Sequence, residues 1–122
     1  MLTLVNPPPW QVDDYRTKQG NRPVRDFLMK LSEDARAKVT AALTMLARLG
    51  NQLQMPLSRA MGGGLFEIRV KHPDGPFRFL YCFRPVRRVV LLHGFTKRTE
   101  KTPKKDLDLA KERKRELEER ED

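Results

Sequence analysis

The fold of this 122-residue chain is decided by the stretch Gly62 to Thr99, which reads GGGLFEIRVKHPDGPFRFLYCFRPVRRVVLLHGFTKRT. Three runs rich in aromatic and β-branched residues follow one another in it: Leu65 to Lys71, Phe77 to Phe83 and Val89 to Phe95. Short turn segments separate the runs, and the first of these contains Asp-Gly, a strong hairpin signal. Strands joined by hairpins pair antiparallel, so the stretch predicts a small antiparallel sheet.

One face of this predicted sheet is cationic. In the first run apolar residues alternate with polar ones, and the polar ones are Glu67, Arg69 and Lys71. Most charged residues of the whole stretch are cations, namely Arg69, Lys71, Arg78, Arg84, Arg87, Arg88, Lys97 and Arg98. A sheet with one cationic face suits a polyanion, and RNA is the leading candidate.

Two helical segments precede this sheet in the sequence. Pro23 is a favourable first helical residue, and the apolar residues after it recur at helical spacing. Ser32, followed by two acidic residues, predicts a second helix start, and Gly50 predicts its end. These residues predict a helical hairpin, or one helix broken near Ser32. Further upstream, Leu2 to Val5 predicts a short edge strand, and Trp10 to Tyr15 predicts another short strand or a loop.

The last segment predicts a helix that begins at Thr102 and Pro103, with Thr102 as a candidate cap. Apolar residues become scarce along it, and nearly every residue from Lys111 onward is charged. We therefore expect the end of this helix to be solvated. The chain is predicted to comprise a single domain over residues 1–110 and a charged helical extension over residues 111–122.

These elements together predict an α+β fold. An N-terminal helical hairpin packs on a small antiparallel sheet of three to five strands, and a C-terminal helix follows. Asn51 to Ala60 is predicted to connect the hairpin to the sheet as a loop. Because the hairpin buries one face of the sheet, the opposite face is expected to carry Arg69 and its neighbouring cations.

The composition narrows the function classes. Lysine and arginine outnumber aspartate and glutamate by 25 to 16, and the formal net charge of +9 favours a nucleic-acid or acidic protein partner. The single Cys82 excludes an intramolecular disulfide, which fits a reducing cytoplasm. Its wide spacing from His72 and His93 argues against a structural zinc site, so we expect neither metal nor cofactor. No apolar run has the ~20 residues of a membrane span.

Several motifs occur together at a specific spacing. They are GLFEIR (64–69), FRFLY (77–81), LLHGFTKRT (91–99) and KTP (101–103), with PVRDFL (23–28) and LARLG (46–50) upstream. The combination spans roughly Trp10 to Ala110 and resembles the RelE/HigB-like toxins, and more narrowly their phage-derived, HigB-type branch. The resemblance implies a RelE-like fold and a cytoplasmic, ribosome-dependent mRNA endonuclease, the toxin of a type II toxin–antitoxin pair. It also implies a cognate antitoxin, which would be a helix-turn-helix protein. The toxin would contact operator DNA only through this antitoxin.

Toxins of this kind use the 2′-hydroxyl of the target RNA as the nucleophile, so the resemblance implies residues that hold phosphate and move protons. Arg69 and Arg78 are the expected phosphate clamp. Lys97 is expected to contact phosphate or to give a proton to the leaving oxygen. Glu67 is the formal candidate for the base, and the alternative is a lysine whose pKa is lowered by neighbouring cations. The further candidates for RNA binding are Lys71, Tyr81, Phe95 and Arg98.

Each assignment has a structural alternative. Arg69 and Arg78 also fit as ordinary solvent-facing strand residues, and Glu67 fits better as a salt-bridge partner than as a base. Tyr81 also fits as sheet packing, and His93, inside an apolar run, favours a structural role. For the whole protein, the alternatives are a non-catalytic basic module that binds RNA or DNA, and a toxin-fold phage protein without activity.

Overall fold

A computed structural model describes residues 8–122, so the edge strand predicted for Leu2 to Val5 lies outside the described residues. The described chain is a mixed α+β fold of five strands and three helices. In chain order these are β1 (Gln11–Asp14), α1 (Pro23–Met29), α2 (Glu33–Leu49), β2 (Ser58–Gly62), β3 (Leu65–Val70), β4 (Phe77–Arg84), β5 (Arg88–Thr96) and α3 (Lys104–Glu121). A short 3-10 helix, Gly50–Gln52, follows α2.

The sheet is mixed, which corrects the predicted antiparallel sheet. Its strand order is β1-β5-β4-β3-β2. Strands β2 to β5 pair antiparallel with their neighbours in sequence. Strand β1 pairs parallel with β5, from Gln11 opposite Arg88 to Asp14 opposite Leu91. Two helices and three strands separate β1 from β5 along the chain, so no local hairpin signal reports this pairing.

Helices α1 and α2 do not form an N-terminal hairpin, and that prediction is wrong. Strand β1 precedes them, and the chain continues from α2 to β2 on the opposite edge of the sheet. The helix boundaries themselves are confirmed, since α1 begins at Pro23 and Ser32 caps α2 by accepting a hydrogen bond from the Ala35 amide at 3.1 Å. Gly50 ends α2 with a φ of 52°, a backbone angle that costs glycine little.

Both faces of the sheet are covered by helices. On one face, α1 and α2 pack on a core that includes Val24, Val39, Leu46, Ile68, Phe77, Phe79 and Tyr81. On the other face, α3 packs on a second core that includes Leu65, Leu80, Cys82, Leu92, Ala110 and Leu117. The face that was predicted to carry the cations is therefore partly covered by α3, and its polar side chains cluster beside the N-terminus of that helix.

One side of the charged half of α3 is anchored on the sheet, while the last four residues of the chain are exposed, as the predicted solvated end requires. Leu117 is 5% exposed and belongs to the second core. Arg84 at the end of β4 pairs with Glu121 at 2.9 Å, and the Tyr15 hydroxyl donates to Glu116 at 2.6 Å. The helix is continuous across residues 110 and 111, where the predicted domain ends and the predicted extension begins. That division of the chain stays a prediction.

Strand β2 begins within the region predicted as a loop and shares the last three residues of that region, 58–60. It pairs antiparallel with β3, and Arg59 lies opposite Glu67 in this pairing. Gly62, Gly63 and Gly64 all have positive φ and make the tight turn from β2 into β3. The strand was missed because its sequence, SRAMG, holds too few apolar residues to show the alternation of a strand.

Candidate functional site

The register of the sheet places polar residues in rows across the face that α3 partly covers. One row crosses four strands and consists of Arg59, Glu67, Leu80 and His93. Paired residues on neighbouring strands lie about 5 Å apart and point to the same side. Leu80 packs in the core beneath α3, so the charged side chains on either side of it belong to that face.

A second row lies one step along the strands, towards the C-terminal end of β5. It consists of Arg69, Arg78 and Phe95. Lys97 lies just beyond this row. Its backbone amide donates a hydrogen bond to the carbonyl of Pro76 at 2.8 Å, and the charge of Arg78 acts on its ammonium group. The four residues predicted to be catalytic therefore meet on one face of the sheet.

Glu67 is the centre of this group. Its side chain has no exposed surface. Its Oε1 atom lies 3.5 Å from Arg78 Nε and 3.6 Å from Arg69 Nε, and its Oε2 atom accepts a hydrogen bond from the hydroxyl of Thr102. Oε1 and the two Nε atoms are buried without a hydrogen-bond partner among the described residues. Glu67 thus holds the two arginines electrostatically and leaves most of their donors unused.

Positive charge is in excess around Glu67. Arg78, Arg69 and Arg59 act on Lys97, and among the described residues the carboxylate of Glu67 opposes them. Burial, and after it the charge of Arg78, lowers the pKa of Lys97. Burial also lowers the pKa of Arg78. Four cations around one carboxylate would be stabilised by a further anion.

This arrangement is suited to a phosphodiester. Guanidinium groups present paired N–H donors that match two phosphate oxygens, and neighbouring strands hold Arg69 and Arg78 side by side. A lysine with a lowered pKa gives up its proton more readily than an ordinary lysine does. The residues of one sheet face therefore combine a candidate phosphate clamp with a candidate proton donor.

The outer candidates for RNA binding lie at the border of this group. Lys71 is two residues beyond Arg69, and Arg98 follows Lys97; the side chains of Lys71 and Arg98 are exposed. Phe95 is in the second row but is only 9% exposed. Lys97 and Arg98 are neighbours in the sequence but differ in the structure, because Lys97 is buried in the group and Arg98 is exposed to solvent.

Tyr81 lies on the other face of the sheet. Its side chain is 1% exposed, its ring packs on Phe66, and its hydroxyl shares a hydrogen bond with Ser58. This position does not fit the predicted role in stacking on a base, because no face of the ring is open. Strand alternation carries the signal that was overlooked: Tyr81 is three residues from Arg78, so the two side chains point to opposite faces.

His93 joins the sheet to the start of α3. Its Nε2 atom is 2.6 Å from Oδ1 of Asp106, and its ring stacks on Phe95 with centroids 5.3 Å apart. Burial lowers the pKa of His93, although the neighbouring carboxylate opposes this change. These contacts fit the structural role that the sequence favours for His93.

Two residues of the site escaped sequence reasoning. Arg59 was missed because it lies in β2, whose pairing with β3 has no strong local signal. Thr102 was predicted to cap α3, but the N-cap position is held by Pro103, and no side chain caps the helix there. The Thr102 hydroxyl instead binds Glu67, 35 residues away in sequence, a contact that only the tertiary fold creates.

The fold and the site define a small α+β protein with a cationic cluster on one sheet face, and comparison with known proteins adds its family. The family model described as "Phage derived protein Gp49-like (DUF891)" matches residues 26–115. The chain belongs to this phage-derived Gp49-like family. The match includes the whole cluster around Glu67, while β1 lies outside it. No curated protein sequence matches the chain.

Among residues 8–122, no group of three histidine, cysteine, aspartate or glutamate side chains has the geometry to hold a metal ion. No helix within the described part of the chain is long and apolar enough to cross a membrane.

Proposed function

We propose that this protein is the toxin of a type II toxin–antitoxin system and acts as a ribosome-dependent mRNA endonuclease. In this proposal it belongs to the phage-derived, HigB-type branch of the RelE/HigB-like superfamily. The observation that carries the proposal is the cluster of Arg59, Arg69, Arg78 and Lys97 around the buried Glu67. Membership of the phage-derived Gp49-like family supports it.

The proposed reaction begins with the scissile phosphate on Arg69 and Arg78. The 2′-hydroxyl oxygen of the adjacent ribose attacks phosphorus, and the bond from phosphorus to the 5′-oxygen breaks. Negative charge develops on the non-bridging oxygens during this step, and guanidinium groups held in place stabilise it without reorganising. Glu67 is proposed to act as a positioning residue, because its side chain has no exposed surface, its Oε1 atom faces the two arginines and its Oε2 atom accepts a hydrogen bond from Thr102.

Two protons must move in this reaction. The 2′-hydroxyl loses its proton to a base, and the leaving 5′-oxygen gains one. Lys97 is the proposed proton donor, since burial and the neighbouring arginine charge lower its pKa. The products are a 2′,3′-cyclic phosphate and a 5′-hydroxyl. The proton lost by the 2′-hydroxyl is taken up by solvent water, and Lys97 regains a proton from solvent after the step, so atoms and charges balance.

The proposed partners are the ribosome with its mRNA, and a cognate helix-turn-helix antitoxin in the cytoplasm. In this proposal Lys71 and Arg98, which are exposed at the border of the cluster, contact neighbouring phosphates. Operator DNA would be reached only through the antitoxin.

Induced expression in a bacterial host tests the proposal, with growth followed and mRNA ends mapped. We expect wild-type protein to stop growth and create new mRNA ends, and Arg69→Ala/Arg78→Ala to do neither. A matched control is Arg48→Ala/Arg87→Ala, which removes the same charge from exposed arginines that line a different groove, beside Trp10. That control should behave as wild type.

Other outcomes would contradict the proposal. Normal growth and intact mRNA from well-expressed wild-type protein would favour a toxin-fold protein without activity, or a non-catalytic module if RNA binding persists. Equal loss of activity in the two double variants would show that total charge matters rather than this site.

A further inference from the structure

A groove of about 480 Å³ lies beside Trp10, at the end of the sheet where α2 finishes and β5 begins. Arg48 is in the last turn of α2, Asn51 and Gln52 follow it in the 3-10 helix, and Arg87 precedes β5. These four side chains and the indole ring of Trp10 line the groove. We call this feature the Trp10 groove.

The Trp10 groove is separate from the cluster around Glu67. Arg87 precedes the first residue of β5, and Lys97 follows its last residue. The strand between them has nine residues, which corresponds to a length of about 30 Å. Trp10 also packs on the first core, on the face of α1 and α2, whereas the cluster lies on the face of α3. A mononucleotide in the Trp10 groove would therefore not contact the cluster.

The indole ring of Trp10 is held in place by the backbone around it. The Trp10 amide donates to the carbonyl of Ala47 at 3.0 Å, and a Cβ atom at Gly50 would lie only 2.1 Å from indole atoms. The guanidinium group of Arg87 lies over the ring, but its distance of 5.8 Å from the ring centroid is near the limit of a cation–π contact. Because Arg87 is exposed, this loose contact can open without disturbing the core. The ring can then stack on a planar ligand.

The side chains of the Trp10 groove together favour a nucleotide. The two guanidinium groups present paired donors that match phosphate oxygens. The amides of Asn51 and Gln52 can both donate to and accept from the edge of a base, and an indole ring stacks on its face. The described residues of the lining include no carboxylate, which would repel a phosphate. An acidic peptide would pair with the arginines alone and leave the indole and the amides unused.

We propose that the Trp10 groove binds a nucleotide, with the base stacked on Trp10 and the phosphate on Arg48 and Arg87. A free nucleoside phosphate and an unpaired nucleotide of single-stranded RNA share this chemistry. The volume of the groove is within the usual range of sites for small molecules. The inference does not rest on the proposed nuclease activity, because the Trp10 groove and the cluster around Glu67 share no residue.

The fluorescence of Trp10 measures binding, because it is the single tryptophan of the chain. The probe is AMP, titrated into the full chain. We expect saturable quenching of the indole emission with a Kd below about 1 mM. Adenosine, which lacks the phosphate, should bind about tenfold more weakly or less. Inorganic phosphate, which lacks the base, should displace AMP only at concentrations about tenfold higher than AMP itself requires.

Variants locate the binding site of AMP. Arg48→Ala should weaken AMP binding by about tenfold, because a charged hydrogen-bond donor to the phosphate is lost. Arg25→Ala is the matched control, since Arg25 is exposed on α1 and does not line the Trp10 groove. Asn51→Ala/Gln52→Ala should reduce the difference in affinity between AMP and inorganic phosphate, because it removes contacts to the base.

A single-stranded RNA of six adenosine nucleotides distinguishes the two sources of the nucleotide. RNA held at the cluster around Glu67 lies far from Trp10, so quenching reports on the Trp10 groove alone. Tighter binding of the hexamer than of AMP, weakened again by Arg48→Ala, would assign the groove to RNA. Tighter binding of AMP would assign it to a free nucleotide.

Three results would overturn the inference: no saturable quenching by AMP or by the hexamer, equal AMP affinity in Arg48→Ala and Arg25→Ala, or displacement of AMP by hexaglutamate as readily as by AMP itself. The last result would assign the groove to an acidic protein. Cleavage of RNA by the wild type is a separate readout for the proposed function. AMP binding in a protein that cuts no RNA would support the Trp10 groove and refute the nuclease.

Discussion

Thr102→Val should lower the free energy of unfolding by more than the loss of an exposed hydroxyl group would. Valine keeps nearly the same volume and shape in the loop before α3. The lost hydroxyl is the group that donates to Oε2 of Glu67, and Thr102 itself is only 8% exposed. No water can replace the donor without opening the loop, because Glu67 has no exposed surface.

The expected cost follows from the surroundings of Glu67. A hydrogen bond to a charged group contributes about 1.5–3 kcal/mol to stability, and a buried acceptor left without a partner places the cost in the upper part of that range. Oε1 of Glu67 already lacks a hydrogen bond, and its nearest guanidinium nitrogen is 3.5 Å away. We therefore expect a loss of about 2–3 kcal/mol in the free energy of unfolding, or roughly 6–12 °C in Tm.

Urea unfolding followed by circular dichroism measures this loss. The midpoint should fall while the dependence on urea concentration stays unchanged, since the surface exposed on unfolding is the same. Thr99→Val is the matched control, because the Thr99 side chain is exposed and its hydroxyl donates to the backbone carbonyl of Lys101. It should change stability by less than about 0.5 kcal/mol. Equal stabilities for the two valine variants would refute the role given to Thr102.

Three further predictions concern stability. Burial holds the pKa of His93 below its ordinary value of 6.5, so the unfolded chain binds more protons than the folded one below that pH. Stability should therefore fall as the pH drops below 6.5, and denaturation at several pH values should show a smaller fall in His93→Gln than in the wild type. Lys97→Met should stabilise the fold at neutral pH, because the pKa of Lys97 is lowered by burial and then by Arg78. The gain should shrink as the pH rises towards 10.5, the ordinary value at which lysine also loses its charge in the unfolded chain. Leu117→Ala should lower the free energy of unfolding, measured in urea, by about 2–4 kcal/mol. Leu109→Ala should lower it much less, because Leu109 is 38% exposed. Similar losses in the two variants would contradict the packing of α3 on the sheet.

Much of the local structure was predictable because its signals are short in range. Strand alternation from Leu65 to Val70 places Glu67 and Arg69 on the same face, and the structure has that strand at those residues. Proline, serine and glycine mark the helix boundaries through the backbone conformation and hydrogen bonds that each allows. The same alternation rule places the side chains of Tyr81 and Arg78 on different faces of the sheet. The prediction that Tyr81 binds RNA beside Arg78 therefore failed because the rule was not applied, although the signal was present.

The rest depends on contacts between residues far apart in the chain. The parallel pairing of β1 with β5 joins Gln11 to Arg88, and no short motif encodes such a pair. The same holds for Arg59, which reaches Glu67 only because β2 adds to the edge of the sheet.

The sequence by itself determined the helix and strand periods, the excess of positive charge and the cations of β3 to β5, because each depends on residue type and local spacing. The tertiary structure decided that the sheet is mixed, that α3 covers part of its second face, and that Thr102 and Arg59 complete the site. The physical reason lies in burial. A carboxylate without exposed surface needs partners, and the packing of α3 on the sheet brings Thr102 to Glu67.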